Sequence, residues 1–243
     1  MLKAKLLVMK IFEKIYGYMD MFLAGLTETK ITTNHSIKNK YDYVGDFIGR
    51  LARVELNDKY GFIDINGKEV IPCKYDYTTG FDDGLAKVEI NDKWGFVNKA
   101  GIEVIPCKYD NAKCFYDGLA LVQLNDKYGY IDKTGREVIP LKYDAVSSFY
   151  NGLARVELNW KCGCIDKVGK EVIPLVFDYL SIGSTLIVIT LGRKLGVINH
   201  NGDYILPCEY DDIEVLDERI IAIKSDTKYE FSLSGDFVKI LND

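Results

Sequence analysis

Around residue 85 the chain alternates. In Leu85-Ala86-Lys87-Val88-Glu89-Ile90 the apolar Ala86, Val88 and Ile90 fall on one side, and Lys87 and Glu89 on the other. A period of two is what a half-buried strand needs. Asn91-Asp92 follows, and both residue types tolerate positive φ, so a tight hairpin turn is expected there. A second strand runs from Trp94 to Asn98 into a turn at Lys99-Ala100-Gly101, whose glycine suits a left-handed position. A third strand, Glu103-Val104-Ile105, is expected to end at Pro106, which has no N–H to extend a ladder.

The pattern recurs along the chain. GLAKVEINDKWGFVNKAGIEVIPCKYD (84–110) aligns without a gap to GLALVQLNDKYGYIDKTGREVIPLKYD (118–144). Gly61, Gly95, Gly129, Gly163 and Gly196 step by 34, 34, 34 and 33, and so do Pro72, Pro106, Pro140, Pro174 and Pro207, which are all 5 prolines of the chain. Counting each unit from its Tyr-Asp or Phe-Asp pair gives six: 41–74, 75–108, 109–142, 143–176, 177–209 and 210–243. The last is degenerate: Glu230 falls near the expected glycine, and Ile240-Leu241 replaces the Ile-Pro pair. Fixed-period self-similarity is the mark of a repeat architecture.

Lys93-Trp94-Gly95-Phe96-Val97, then Gly101 and Val104-Ile105-Pro106, resemble the bacterial WG-repeat family over about residues 41–243. Only one unit carries the eponymous Trp-Gly; Tyr60, Tyr128, Cys162 and Leu195 replace the tryptophan elsewhere. The resemblance implies a β-repeat fold and no particular activity.

Residues 1–40 precede the array. Residues 1–26 are strongly apolar, yet Lys3, Lys5, Lys10, Glu13, Lys14 and Asp20 interrupt them. No uncharged run approaches the ~20 residues that span a bilayer, so no transmembrane segment is expected. Lys10, Glu13, Lys14 and Gly17 fall at helical spacing and predict a helical cap over the first edge of the array. The alternative is a decayed seventh unit, since Leu6–Ile11 echoes Leu119–Leu124 and Tyr16–Asp20 echoes Tyr128–Asp132.

Composition changes this picture little. The net charge of −5 has mixed signs and no basic block, which argues against nucleic acid as partner. Of the six cysteines, Cys73, Cys107 and Cys208 alternate with Leu141 and Leu175 at one repeat position, and Cys162 and Cys164 stand where sister units have aromatics. They read as small apolar side chains in a reduced, cytoplasmic protein, with disulfide or metal binding as the alternative. His35 and His200 are expected in exposed loops, without a partnered nucleophile. The column Asp76, Asp110, Asp144, Asp178 and Asp211 is expected to bond backbone N–H groups. Binding calcium, with Glu69, Glu103, Glu137 and Glu171, is the alternative. Tyr60, Trp94 and Tyr128, with Phe62, Phe96 and Tyr130, suggest a stacking platform, but their replacement by Cys and Leu fits core packing better.

Variation points to the surface. After each Tyr-Asp the sequence reads Tyr77-Thr78-Thr79-Gly80, Asn111-Ala112-Lys113-Cys114 and Ala145-Val146-Ser147-Ser148, while Phe81, Phe115 and Phe149 stay fixed. Tyr77, Thr78, Thr79, Asn111, Lys113, Ala145, Ser147 and Ser148 are therefore candidate interaction-loop residues. The sequence predicts an all-β array of six three-stranded repeats, solenoid-like or propeller-like, with an open array preferred because propeller blades have four strands. It predicts no catalytic residue, metal or cofactor. The expected function is a scaffold binding a protein or peptide partner, with a carbohydrate or cell-envelope module as the alternative.

Overall fold

The computed structural model describes residue 37 and residues 39–241. Their named elements are 24 strands in six antiparallel sheets, each a meander whose neighbours in sequence are neighbours in space. Sheet 1 holds β1 (Tyr43–Ile48), β2 (Leu51–Leu56), β3 (Lys59–Asp64) and β4 (Glu69–Tyr75). Sheet 2 holds β5 (Tyr77–Asp82), β6 (Leu85–Ile90), β7 (Lys93–Asn98) and β8 (Glu103–Tyr109). Sheet 3 holds β9 (Asn111–Ala112), β10 (Leu119–Leu124), β11 (Lys127–Asp132) and β12 (Glu137–Tyr143). Sheet 4 holds β13 (Ala145–Val146), β14 (Ala154–Leu158), β15 (Lys161–Ile165) and β16 (Glu171–Phe177). Sheet 5 holds β17 (Tyr179–Ile182), β18 (Ile187–Leu191), β19 (Lys194–Ile198) and β20 (Tyr204–Tyr210). Sheet 6 holds β21 (Asp212–Val215), β22 (Arg219–Lys224), β23 (Thr227–Ser232) and β24 (Phe237–Leu241). None of the six sheets closes on itself.

The three-stranded expectation is corrected to four. The segment after each Tyr-Asp pair forms the first strand, with Tyr77 opposite Glu89 and Thr78 opposite Val88. Its sequence does not alternate, because its only fully buried polar side chain, Thr78, satisfies its hydroxyl on the Lys87 carbonyl at 3.1 Å. The hairpin turns are as the sequence reads: Asn91 and Asp92 have φ of 51° and 58°.

The proline does not end its strand. In sheet 1, Phe62 pairs with Ile71 and Tyr60 with Tyr75, so two steps on β3 face four on β4. The extra residues form a bulge containing Pro72, a place where a missing N–H costs no ladder bond. Gly61 makes this possible: a Cβ there would lie 2.4 Å from the Ile71 carbonyl oxygen. The repeat's fixed glycine is thus required for close backbone approach.

The chain divides into two compact units, one ending at Cys107 and the other beginning at Lys108. Within the first, Phe62, Ile71 and Tyr75 of sheet 1 pack on Ala86, Val88 and Val97 of sheet 2. Within the second, Tyr130, Ile139 and Tyr143 of sheet 3 pack on Ala154, Val156 and Ile165 of sheet 4 in the same way. A face with aromatic residues meets an aliphatic face each time. Burying each of the valine and isoleucine side chains among them stabilises by about 1.5–3 kcal/mol. The fixed phenylalanines belong to this packing, Phe81 lying 4.8 Å from Phe62 and Phe149 4.9 Å from Tyr130 between ring centroids.

The two ends of the described chain depart from the frame. Before sheet 1, Ile37 and Tyr41 cover Ala52, Val54 and Ile63. They repeat Ile71 and Tyr75 one unit earlier, down to the hydroxyl of Tyr41 on Glu69 at 3.0 Å, matched by Tyr75 on Glu103 at 3.5 Å. The expected helix or decayed unit at residues 1–26 lies outside the described residues, as does His35. In sheet 6 the hairpin register places Tyr229 at the glycine position, not Glu230, because the step from Gly196 is again 33. Glu230 then stands for Phe62, Lys239 for Ile71 and Ile240 for Pro72, correcting the Ile240-Leu241 assignment by one residue. A buried apolar pair has become an ion pair, Lys239 Nζ lying 3.6 Å from Glu230. The bulge opposite the glycine is lost with it.

Candidate interaction surface

Each tight hairpin between second and third strands is tied down by the aspartate of the Tyr-Asp pair. Asp76 accepts the Asn91 N–H at 2.8 Å, Asp144 that of Asn159 at 2.8 Å and Asp178 that of Gly192 at 2.7 Å. The other carboxylate oxygen takes a lysine from the preceding sheet: Lys59 on Asp76, Lys127 on Asp144, Lys161 on Asp178. These ammonium groups, then the backbone N–H, hold the aspartates below the usual carboxylate range. The aspartate column therefore fixes hairpin tips, as its position after tyrosine suggests. Glu69 and Glu103 are taken up by Tyr41 with Lys40 and by Tyr75 with Lys74.

One fixed tip carries an unusual side chain. Trp160 stands where the sister turns have Asp58, Asp92 and Asp126, with φ +64° and 86% of its surface exposed. Left-handed backbone costs a residue with a Cβ roughly 1–2 kcal/mol, and nothing buries the indole in return. Sequence reading missed Trp160. The signal was present, a large apolar residue at a turn position that elsewhere is Asp or Arg193.

The sequence-derived candidates scatter in role. Tyr77, Asn111, Lys113, Ala145, Ser147 and Ser148 are exposed, whereas Thr78 is interior. Thr79 and Ser147 are equivalent, each hydroxyl accepting an N–H of the neighbouring strand, from Lys87 at 3.0 Å and Arg155 at 2.9 Å. Lys113 Nζ lies 3.4 Å from the Ser148 hydroxyl. The first residue of each first strand is exposed, tyrosine in three sheets (Tyr43, Tyr77 and Tyr179) and Asn111, Ala145 or Asp212 in the others.

The proposed stacking platform is divided. Phe62, Phe96 and Tyr130 are buried, while Tyr60, Trp94 and Tyr128 are half-buried. Lys87 Nζ sits 3.9 Å from the Trp94 ring centre and Arg53 5.6 Å from that of Tyr60, so cations already occupy those faces. Cys162 and Cys164 are buried, and burial pushes the Cys164 thiol up to about 12 and that of Cys107 up to about 11. His200 is half-buried rather than exposed, Nε2 donating to the Gly183 carbonyl at 3.1 Å.

At the end of sheet 4 away from Trp160, a cleft of about 290 Å³ is lined by Tyr116, Asp117, Tyr150, Asn151 and Lys167. Lys167 and Asp117 form an ion pair across it. Among the described residues no helix is long and apolar enough to cross a membrane.

Six sheets built on one sequence period define a tandem β-repeat protein. The chain belongs to the WG-containing repeat family, which matches it at residues 37–60, 60–94, 94–128, 128–162, 163–182 and 196–229. No curated protein matches it significantly. Among solved structures it is similar to the AfRom2 CNH domain, at 10% identity over 84% of each chain with a TM-score of 0.35. It is also similar to Hsv2 of Kluyveromyces marxianus, at 10% identity over 80% of this chain and 72% of that one, with a TM-score of 0.38. Hsv2 of Kluyveromyces lactis gives 10%, 80%, 71% and 0.37.

Proposed function

We propose that this chain is a non-catalytic scaffold that holds a protein or peptide partner, with Trp160 as a principal contact. The observation supporting this is an indole 86% exposed on a strained hairpin tip. Folding gains nothing from it, whereas tryptophan is the side chain most enriched among residues that dominate protein interfaces. The rigid anchoring of that tip by Asp144 suits a contact that must be held in place. The exposed column from Tyr43 to Asp212, tyrosine in three sheets and Asn, Ala or Asp in the others, supplies further contact surface. Six free cysteines support placing the protein in a reducing, cytoplasmic compartment. A photo-crosslinking amino acid at position 160 tests the reading. Crosslinks to a defined partner are expected, and crosslinks no more selective than those from position 92 would overturn it.

A carbohydrate-binding module is the second reading, favoured by the exposed Tyr116 and Tyr150 beside Asp117 and Asn151. Saccharide titration that is lost in Tyr150→Ala would support it over the first.

A further inference from the structure

We infer that the outer edge of β24 receives an extended partner strand in which a carboxylate faces Lys239 between apolar residues. This rests on the reading of the chain as a binding scaffold and names a second, separate place of attachment. An edge strand offers a row of unpaired N–H and C=O groups, and proteins blunt such edges with prolines, bulges and charge. Five of the sheets do so on their fourth strand: Pro72, Pro106, Pro140, Pro174 and Pro207 are all exposed there. Sheet 6 has shed the proline and the bulge opposite the glycine position, and keeps only the irregularity between Glu230 and Phe231. Ile240 replaces the proline, and Lys228, Tyr229 and Glu230 pair in regular register with Leu241, Ile240 and Lys239. Phe237, Val238 and Ile240 are 59%, 52% and 50% exposed, so apolar surface lies on both faces of an edge that no described strand pairs.

Charge selects the occupant. Glu230 lies between two cations, 3.8 Å from Arg219 and 3.6 Å from Lys239. Lys239 stands directly opposite Glu230 and Arg219 reaches it diagonally, its own ladder partner being Ser232, so one carboxylate is set against two cations. A negative residue on the next strand, opposite Lys239, is favoured because opposite charges directly across a ladder attract. A second copy of β24 fits less well, since pairing the whole strand with itself sets Lys239 against Lys239. Strand addition takes its affinity from main-chain bonds and its selectivity from alternate side chains.

The test titrates the full chain with a labelled heptapeptide of alternating valine and threonine with a central glutamate, and with its central-lysine counterpart. The glutamate peptide should bind at least tenfold more tightly. Ile240→Pro, which restores the residue of the other five sheets, should abolish that binding. Lys239→Glu, which leaves the backbone untouched, should reverse the preference between the peptides. Trp160→Asp should leave peptide binding unchanged, so this inference and the hairpin-tip reading fail separately. Equal binding of the two peptides, or a preference that survives Lys239→Glu, would overturn the inference. So would a concentration-dependent dimer in sedimentation that Ile240→Pro dissolves, which would give the edge to a second copy.

Discussion

Gly95 lies directly beneath the backbone of Ile105: a methyl group on residue 95 would sit 2.5 Å from the Ile105 carbonyl oxygen and 2.6 Å from the Cys107 nitrogen. Neither atom is on a flexible side chain, so the bulged strand itself must move. Gly95→Ala is expected to cost about 1–3 kcal/mol, as overpacking does. Gly80 has nothing within 4 Å of its Cβ position and no positive φ, so Gly80→Ala should change stability by no more than about 0.5 kcal/mol. Urea unfolding midpoints of the two variants check this, and equal midpoints would contradict it.

The six thiols should not react alike. Cys114 is exposed, while Cys162 and Cys164 are buried and Cys73, Cys107 and Cys208 are half-buried. Burial holds the Cys107 and Cys164 thiols in the protonated, unreactive form at pH 8. A disulfide reagent at that pH should show one fast thiol, absent from Cys114→Ser, with the buried pair reacting only on unfolding.

Acid should loosen the hairpin tips together. Asp132 is lowered from 3.8 to about 2, mainly by the Thr134 hydroxyl and then by the backbone N–H groups of Thr134 and Arg136. Asp76, Asp144, Asp178 and Asp211 are lowered chiefly by their lysines. A folded-state pKa below the unfolded one gives stability that is present above about pH 4 and lost as the pH falls toward the folded value. The unfolding midpoint should therefore hold from pH 7 to about 5 and drop between about 4 and 2. Lys161→Met should reduce the drop by removing one of the lowered carboxylates' partners.

What the sequence displayed was whatever a period imposes. Leu85–Ile90 alternates because one strand has two different faces, and its ends are those of β6. Asn91-Asp92 announced its turn because few residues accept positive φ. The first strands stayed hidden because Tyr77-Thr78-Thr79-Gly80 buries a threonine that is satisfied by the backbone, which no hydropathy pattern reveals. Pro106 misled because a proline inside a bulge and a proline at a strand end look alike until Gly95 is seen beneath it. Trp160 escaped notice because it is a single departure, and a search for what repeats passes over it.

Replacing Trp160 by aspartate, as in the sister turns, separates folding from binding most directly. Aspartate tolerates the left-handed backbone better, so Trp160→Asp should raise unfolding stability by roughly 0.5–1 kcal/mol. Recovery of the partner that crosslinks at this tip, measured per mole of folded protein, should fall at least tenfold. A variant that is more stable and binds as before would contradict the account, for Trp160 would then serve neither the fold nor the partner.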